Sequence, residues 1–417
     1  MGLRIGFVST RLAGTDGVSL EAEKWAAILQ GMGHECFYFA GECTRPAERT
    51  MLVPLAHFTH PEILSLSALL FDTATRTEEV SRRVQILKDK LKVDLTEFVR
   101  RFDLDLWIVE NALALPVHVP LGLALTEYIA ETNLPTIAHH HDFSWERKRF
   151  AIHAAGDYLR AAFPPYLPSL RNVVINSFAA RQLALRTGAS SLLIPNVMDF
   201  DHPPPPPDET GATVRQALGL DGATDILLQP TRVVPRKRIE LAIELTRRLK
   251  GDCALVISHA SGDEGSAYEA HLRVYAELLG ARVLFAAGTF EHHRRQRPDG
   301  SIVYALADIY REAGLVTYPS TVEGFGNAFL ETVYYRRPLV MSTYEIFRTD
   351  IQPKGFQVIG FDDFIGDETV AEARRVLHDP SLADEMGEHN YELGLRFYSF
   401  SALERHLAVL MNDVGGS

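Results

Sequence analysis

"YPSTVEGFGNAFLETVYYRRPLV", residues 318–340, sets Glu323 and Glu331 eight positions apart around Gly324, Phe325, Gly326 and Asn327. The preceding "LVTYPS" reads as the end of a strand, and "NAFLETVYY" continues as a helix whose N-terminus carries partial positive charge and free N–H groups. Glycines permit the sharp turn between them and let the backbone approach a ligand closely. Glu323 then lies on the loop and Glu331 about a turn inside the helix, so both can face one ligand along its length. A carboxylate accepts paired hydrogen bonds from vicinal hydroxyls, which sugars and riboses share. Two hydroxyl-bearing rings joined by a phosphate-rich segment describe a nucleotide sugar.

The same strand-turn-helix pattern recurs along the chain. In the first half the short apolar runs are "RIGFVS", "ECFYFA", "LWIVE", "PTIA", "NVVINS" and "LLIP". In the second they are "ILLQPT", "ALVIS", "RVLFAA", "LVTYP", "LVMS" and "FQVIG". Amphipathic stretches separate them, which predicts an α/β chain with two doubly wound domains. With 417 residues and 46% hydrophobic composition, each domain can bury a full core. The five prolines in "DFDHPPPPPDETG" forbid helix or sheet and predict a hinge at 200–211, between domains at 1–199 and 212–382. Residues 76–102 read as a solvated, charged helix covering the sheet edge.

Composition limits the partners. With 42 basic against 54 acidic side chains, the formal charge of -12 repels a phosphate backbone, so no nucleic-acid partner is expected. An anionic ligand then needs a local basic pocket. Cys36, Cys43 and Cys253 have no metal-ligand spacing and cannot all pair, which fits a reducing cytoplasm. No stretch is apolar for long enough to span a bilayer, and "MGLRIGFVST" reads as a buried first strand rather than a leader.

Ligands of open α/β sheets bind beyond the carboxyl ends of the strands, and two such domains facing each other put both sets of ends on one cleft. The first strand leads into a loop with Gly14 and Gly17 and a helix for which Ser19 is a plausible N-cap; taken alone, a plain connecting loop is the better reading, and a full dinucleotide fingerprint is absent. In "ILLQPTRVVPRKRIELAIEL", Arg232 follows a strand and Lys237 opens a helix. An arginine fork and a compact lysine charge suit a diphosphate, although a solvated basic turn fits this segment as well. In "PTIAHHHDFSWERKRF", consecutive histidines on a strand alternate faces and rarely share an ion, so no metal site is expected from His139, His140 and His141. Asp103 with Asp105, and Asp199 with Asp201, make D-x-D pairs, but one introduces a strand and the other opens the proline segment.

With these motifs the chain resembles the retaining GT-B glycosyltransferases of family 4. Glu323 and Glu331 match the E-x7-E signature, and Arg232 and Lys237 match the R-x4-K pair. The resemblance extends to the loop near Gly17, to "HHHD", to "IPNVMD" and to "FYSFSALERHLAVL". It departs at Asn196-Val197-Met198-Asp199, where the family has glycine second. The resemblance implies a GT-B fold with two Rossmann-like domains and a C-terminal helix, about 383–417, crossing back to the first domain. It implies a cytoplasmic, retaining hexosyltransferase that needs no cofactor, taking a nucleotide-sugar donor such as UDP-glucose or GDP-mannose and a small-molecule acceptor. Arg232 and Lys237 would neutralise the leaving diphosphate, Glu323 and His141 would hold the donor sugar, and Glu331 the ribose. Gly17, Gly324, Phe325, Gly326 and Asn327 complete the expected donor site.

Following His141, the segment holding Asp142, Arg147, Lys148 and Arg149 lies in the domain that by resemblance receives the acceptor. One or two of these cations on a helix can face an acceptor carboxylate or phosphate; solvated charges balanced by Glu146 are the plainer alternative. A nucleotide-sugar epimerase or hydrolase, or a silent binding protein, would share the architecture. The first converts its donor with no acceptor present, and the second releases nothing.

Overall fold

The computed structural model describes residues 2–14, 16–261, 266–291 and 293–415; Thr15 of the glycine loop and 416–417 of the expected C-terminal helix lie outside them. Packing divides the chain into two units, Met1–Val197 with Leu403–Ser417, and Met198–Ala402.

Among the described residues the first unit carries a seven-stranded parallel sheet. Its strands are β1 (Arg4–Val8), β2 (Glu35–Ala40), β3 (Thr50–Leu52), β4 (Leu106–Glu110), β5 (Thr136–His140), β6 (Leu170–Val174) and β7 (Ser191–Leu193), in the order β3-β2-β1-β4-β5-β6-β7. The order reverses at β1, the doubly wound topology. β4 and β5 are buried along their whole length, as parallel strands covered on both faces must be.

Helices α1 (Gly17–Gly31), α2 (Glu78–Phe102) and α3 (Val119–Thr132) belong to this unit. Thr77 caps α2 by accepting from the Val80 N–H, and Asp103, at φ 47°, ends it in the left-handed region. Along α2, Val80, Val84, Leu87, Leu91, Leu95, Phe98 and Phe102 recur at helical spacing and are buried. From Leu91 onward they pack with Trp107 and Val109 of β4 and with Leu121, Leu125 and Ile129 of α3. Each such side chain contributes about 1.5–3 kcal/mol by leaving water. This helix therefore covers central strands, not the sheet edge expected from its charges. Its charged face serves α3: Lys92 Nζ lies 2.6 Å from both Glu127 and Glu131.

The second unit carries a six-stranded parallel sheet of β8 (Asp225–Gln229), β9 (Cys253–Ile257), β10 (Val283–Phe285), β11 (Leu315–Tyr318), β12 (Leu339–Ser342) and β13 (Ile359–Phe361), in the order β10-β9-β8-β11-β12-β13. The neighbours β8 and β11 run in register from Leu227 opposite Leu315, so the loops leaving their carboxyl ends are adjacent. Those loops lead into α4 (Ile239–Leu249) and α5 (Asn327–Tyr334). Ile239, Ala242, Ile243 and Leu249 of α4 pack with Leu227, Leu255 and Leu315 of the sheet.

Two boundaries differ from the sequence expectation. The units part at Val197 and Met198, ahead of the proline run, which belongs to the second unit. Arg311 Nη2 holds it there, donating to the Pro205 carbonyl at 2.6 Å. The expected single terminal helix is two, α6 (Pro380–Tyr398) and α7 (Phe400–Gly415), and only Leu403 onward joins the first unit. Ser399 is extended at ψ 166°, which breaks the helix, and its hydroxyl accepts from the Ala402 N–H at 3.1 Å.

Candidate functional site

The R-x4-K segment leaves β8 as a short loop, turns once through Pro235–Lys237, and enters α4 at Arg238, whose φ is 47°. Thr321 of the neighbouring loop donates its N–H to the Arg236 carbonyl at 2.9 Å, joining the two expected motifs. Lys237 is 6% exposed, and its ammonium pairs with the Glu323 carboxylate and lies 4.9 Å from the centre of the Tyr318 ring. Arg236 Nη1 lies 3.2 Å from both Glu323 oxygens. Sequence reasoning gave Arg236 no role, yet it is the second partner of Glu323. Burial depresses the Lys237 pKa, and Glu323 partly restores it. Burial alone would raise that of Glu323, but Lys237 and Arg236 outweigh it and hold the carboxyl below its usual range.

Arg232 is exposed, and its guanidinium makes no hydrogen bond or ion pair among the described residues. A free fork beside a buried ammonium is a site for a doubly charged phosphate group. His259, just beyond β9, was not anticipated. Burial, then Lys237 and Arg232, lowers its pKa to about 4, so a neutral imidazole adjoins the cationic pair. Its position immediately after the strand "ALVIS" was the available signal.

Gly326 turns the chain from β11 into α5 at φ 122°, where a side chain is strained. A Cβ there would also meet the Tyr344 hydroxyl at 2.6 Å, and that hydroxyl donates to the Phe325 carbonyl at 2.6 Å. Phe325 is 2% exposed, its ring edge-on to Tyr398, so only its backbone can serve a ligand. Gly324 sits on the loop and Asn327 is the first residue of α5. Glu331, in the second turn, accepts from the Tyr310 hydroxyl at 2.8 Å; Tyr310 is fully buried and stacks on Tyr335. Sequence reading did not find Tyr310, which precedes Glu331 by 21 residues.

In the first unit, α1 is capped by Asp16 rather than Ser19. Asp16 accepts from the Ser19 N–H at 3.2 Å and from its hydroxyl at 2.8 Å. Gly17 is exposed in the first turn. His141 follows β5, where Asn111 Oδ1 accepts from its N–H at 3.1 Å. Asn111 Nδ2 donates to Asp142 at 2.9 Å, and Arg147 Nε donates to the other Asp142 oxygen at 2.5 Å. Residues 144–150 form two short 3₁₀ turns, not the helix assumed for the cations. Arg147 is therefore engaged with Asp142 instead of Glu146. Arg149 is exposed, lies over the Phe150 ring at 4.6 Å, and makes no ion pair among the described residues.

The three histidines alternate faces as expected, but with a consequence the sequence reading missed. His140 bonds Asn172 at 2.9 Å on one side. His139 and His141 share the other, where His139 Nδ1 and His141 Nε2 lie 3.0 and 3.1 Å from Glu110 Oε2. Glu110, His139 and His141, with ligand atoms within 4.8 Å of one another, make a set that can hold a metal ion, where the sequence showed none. Of the D-x-D residues, Asp103 ends α2, Asp105 accepts from the Arg4 N–H at 2.8 Å, Asp199 meets His202 at 3.0 Å, and Asp201 accepts from Ser401 at 2.8 Å.

Residues 212–393 match the family described as Glycosyl transferases group 1. The chain is 33% identical to the mannosylglucosylglycerate synthase of Thermotoga maritima, over 96% of this chain and 98% of that protein. It is 30% identical to the synthase of the same name from Petrotoga mobilis, over 86% of each. Its fold resembles the sucrose-phosphate synthase of Thermosynechococcus elongatus with a TM-score of 0.67 at 17% identity, covering 99% of both chains. The chain belongs to the group 1 glycosyltransferases, with the GT-B fold. It is an enzyme that transfers a sugar. No helix among the described residues is long and apolar enough to cross a membrane.

Proposed function

We propose that this protein transfers mannose, with retention at the anomeric carbon, from a GDP-mannose-type donor to a hydroxyl of a glucosylglycerate-type acceptor. The observation that carries the substrate assignment is the match to two mannosylglucosylglycerate synthases, which runs through both units rather than the donor motifs alone. A product of that name contains a mannose, a glucose and a carboxylate-bearing glycerate.

The geometry supports a division of labour. Arg232, exposed and unpaired among the described residues, and Lys237, buried against Glu323, stabilise the diphosphate as the glycosidic bond breaks and negative charge grows on its oxygen. Glu331, oriented by Tyr310, accepts from the ribose hydroxyls. Glu323 and the backbone of Gly324 to Asn327 hold the sugar, and the family resemblance, not the geometry, assigns His141 a hydrogen bond to it. In a front-face transfer the departing phosphate oxygen takes the proton of the acceptor hydroxyl, so no protein carboxylate becomes covalently attached. Arg149, not the engaged Arg147, pairs with the acceptor carboxylate.

The test is nucleoside-diphosphate release from a panel of nucleotide sugars, with and without glucosylglycerate and a neutral glucoside of similar size. Release from GDP-mannose that depends on the acidic acceptor supports the proposal. Donor turnover with no acceptor would make the protein a hydrolase or epimerase, and no release from any donor would make it a binding protein.

A further inference from the structure

We infer that Glu110, at the end of β4, is a positioning residue for His141: its buried carboxylate fixes the imidazole so that Nδ1 is the atom turned to the ligand. The inference rests on the proposed role of His141 at the donor sugar, and it extends the reaction's machinery to a residue that neither the family signature nor the sequence reading singled out.

Glu110 is 1% exposed. It sits opposite His139 in the register of β4 and β5, and His141 lies two residues further on the same face. Its Oε2 lies 3.1 Å from His141 Nε2, within hydrogen-bond reach. A ring that donates through Nε2 has Nδ1 left over, and His141 Nδ1 has no partner among the described residues. The ring is held on its flank as well: its centre is 4.3 Å from that of His139, which in turn stacks on Trp25 of α1 at 4.2 Å. The backbone below is pinned, because Asn111, next to Glu110, accepts from the His141 N–H. Orientation, tautomer and position of one imidazole are thus set by groups from three elements.

Other charged groups are accounted for. Glu21 of α1, also 1% exposed, is paired with Lys24 at 2.5 Å. Asp142 is held by Asn111 and Arg147. A ring that donates from Nε2 presents Nδ1 as the acceptor of a sugar hydroxyl. The same three side chains suit a divalent transition metal. Glu110 Oε2 takes the hydrogen bond of His141 Nε2, however, while His139 Nδ1, 3.0 Å from the same oxygen, makes none among the described residues.

The experiment is a double-mutant cycle of Glu110→Gln and His141→Ala, with Glu110→Ala alongside, each checked by thermal unfolding. Glu110→Ala is expected to lower kcat by about 10-fold or more with little change in the Kd of the nucleoside diphosphate, and Glu110→Gln, which still accepts from Nε2, to recover part of that loss. Once His141 is Ala, Glu110→Gln should cost nothing further. Losses that simply multiply would overturn the inference, as would stoichiometric bound metal whose removal by EDTA abolishes activity. Should the wild type transfer no sugar, the functional reading fails, but ring-nitrogen NMR still decides this point. A proton fixed on His141 Nε2 in the wild type and released in Glu110→Ala supports it; identical spectra contradict it.

Discussion

The Lys237 ammonium is buried against the Glu323 carboxylate, so the cation expected to meet the diphosphate is held by the anion expected to meet the sugar. The two signature motifs are thereby one electrostatic unit. Burial depresses the Lys237 pKa and Glu323 opposes that depression. Arg236, Arg232 and the neutral His259 also face it, the two arginines adding to the depression. Replacing Glu323 with Gln therefore lowers the Lys237 pKa further. The alkaline limb of kcat/KM should move to lower pH in Glu323→Gln, with kcat reduced. A pH–rate profile checks this; a limb that stays or moves upward contradicts the coupling.

Arg232→Ala should lower kcat/KM by about 100-fold or more, because the developing diphosphate charge loses a preorganised partner. Since the side chain is exposed and unpaired among the described residues, the melting temperature should stay essentially unchanged. Steady-state kinetics and a thermal scan on the same preparation separate the two effects.

Glu331→Ala removes the acceptor of the buried Tyr310 hydroxyl as well as the expected ribose contact. An unsatisfied buried hydroxyl costs about 1–3 kcal/mol, so the protein should be destabilised and bind nucleoside diphosphate more weakly. The double variant Glu331→Ala, Tyr310→Phe should regain stability but not affinity. Calorimetric titration and denaturant unfolding read the two quantities.

Gly326→Ala should cost about 1–3 kcal/mol, since the backbone at φ 122° is strained for a side chain. The Cβ also collides with the Tyr344 hydroxyl at 2.6 Å. Tyr344→Phe in the same chain relieves the collision but not the dihedral strain, so stability should recover only in part.

The doubly wound pattern and the paired motifs were legible because each depends on local order: apolar runs mark strands, glycines mark the turn before α5, and charged residues follow strand ends. What escaped notice depends on partners distant in sequence. Glu110 reads as the last residue of a strand until sheet register sets it opposite His139. Tyr310 reads as a helix residue until its hydroxyl meets Glu331. The charges of α2 suggested an edge helix because the apolar stripe, at every third or fourth residue, is diluted by lysine and arginine. The proline run looked like a boundary because proline stops regular structure, but stopping an element is not the same as ending a domain, and Arg311 ties the run to the second unit.

The most direct measurement is the structure of the product. Purified protein incubated with GDP-mannose and glucosylglycerate, followed by mass spectrometry and proton NMR, should yield a species heavier than the acceptor by one hexose residue, with the α-anomeric mannosyl configuration of the donor preserved. A β-linked product, free mannose in place of a conjugate, or an unchanged acceptor would contradict the account.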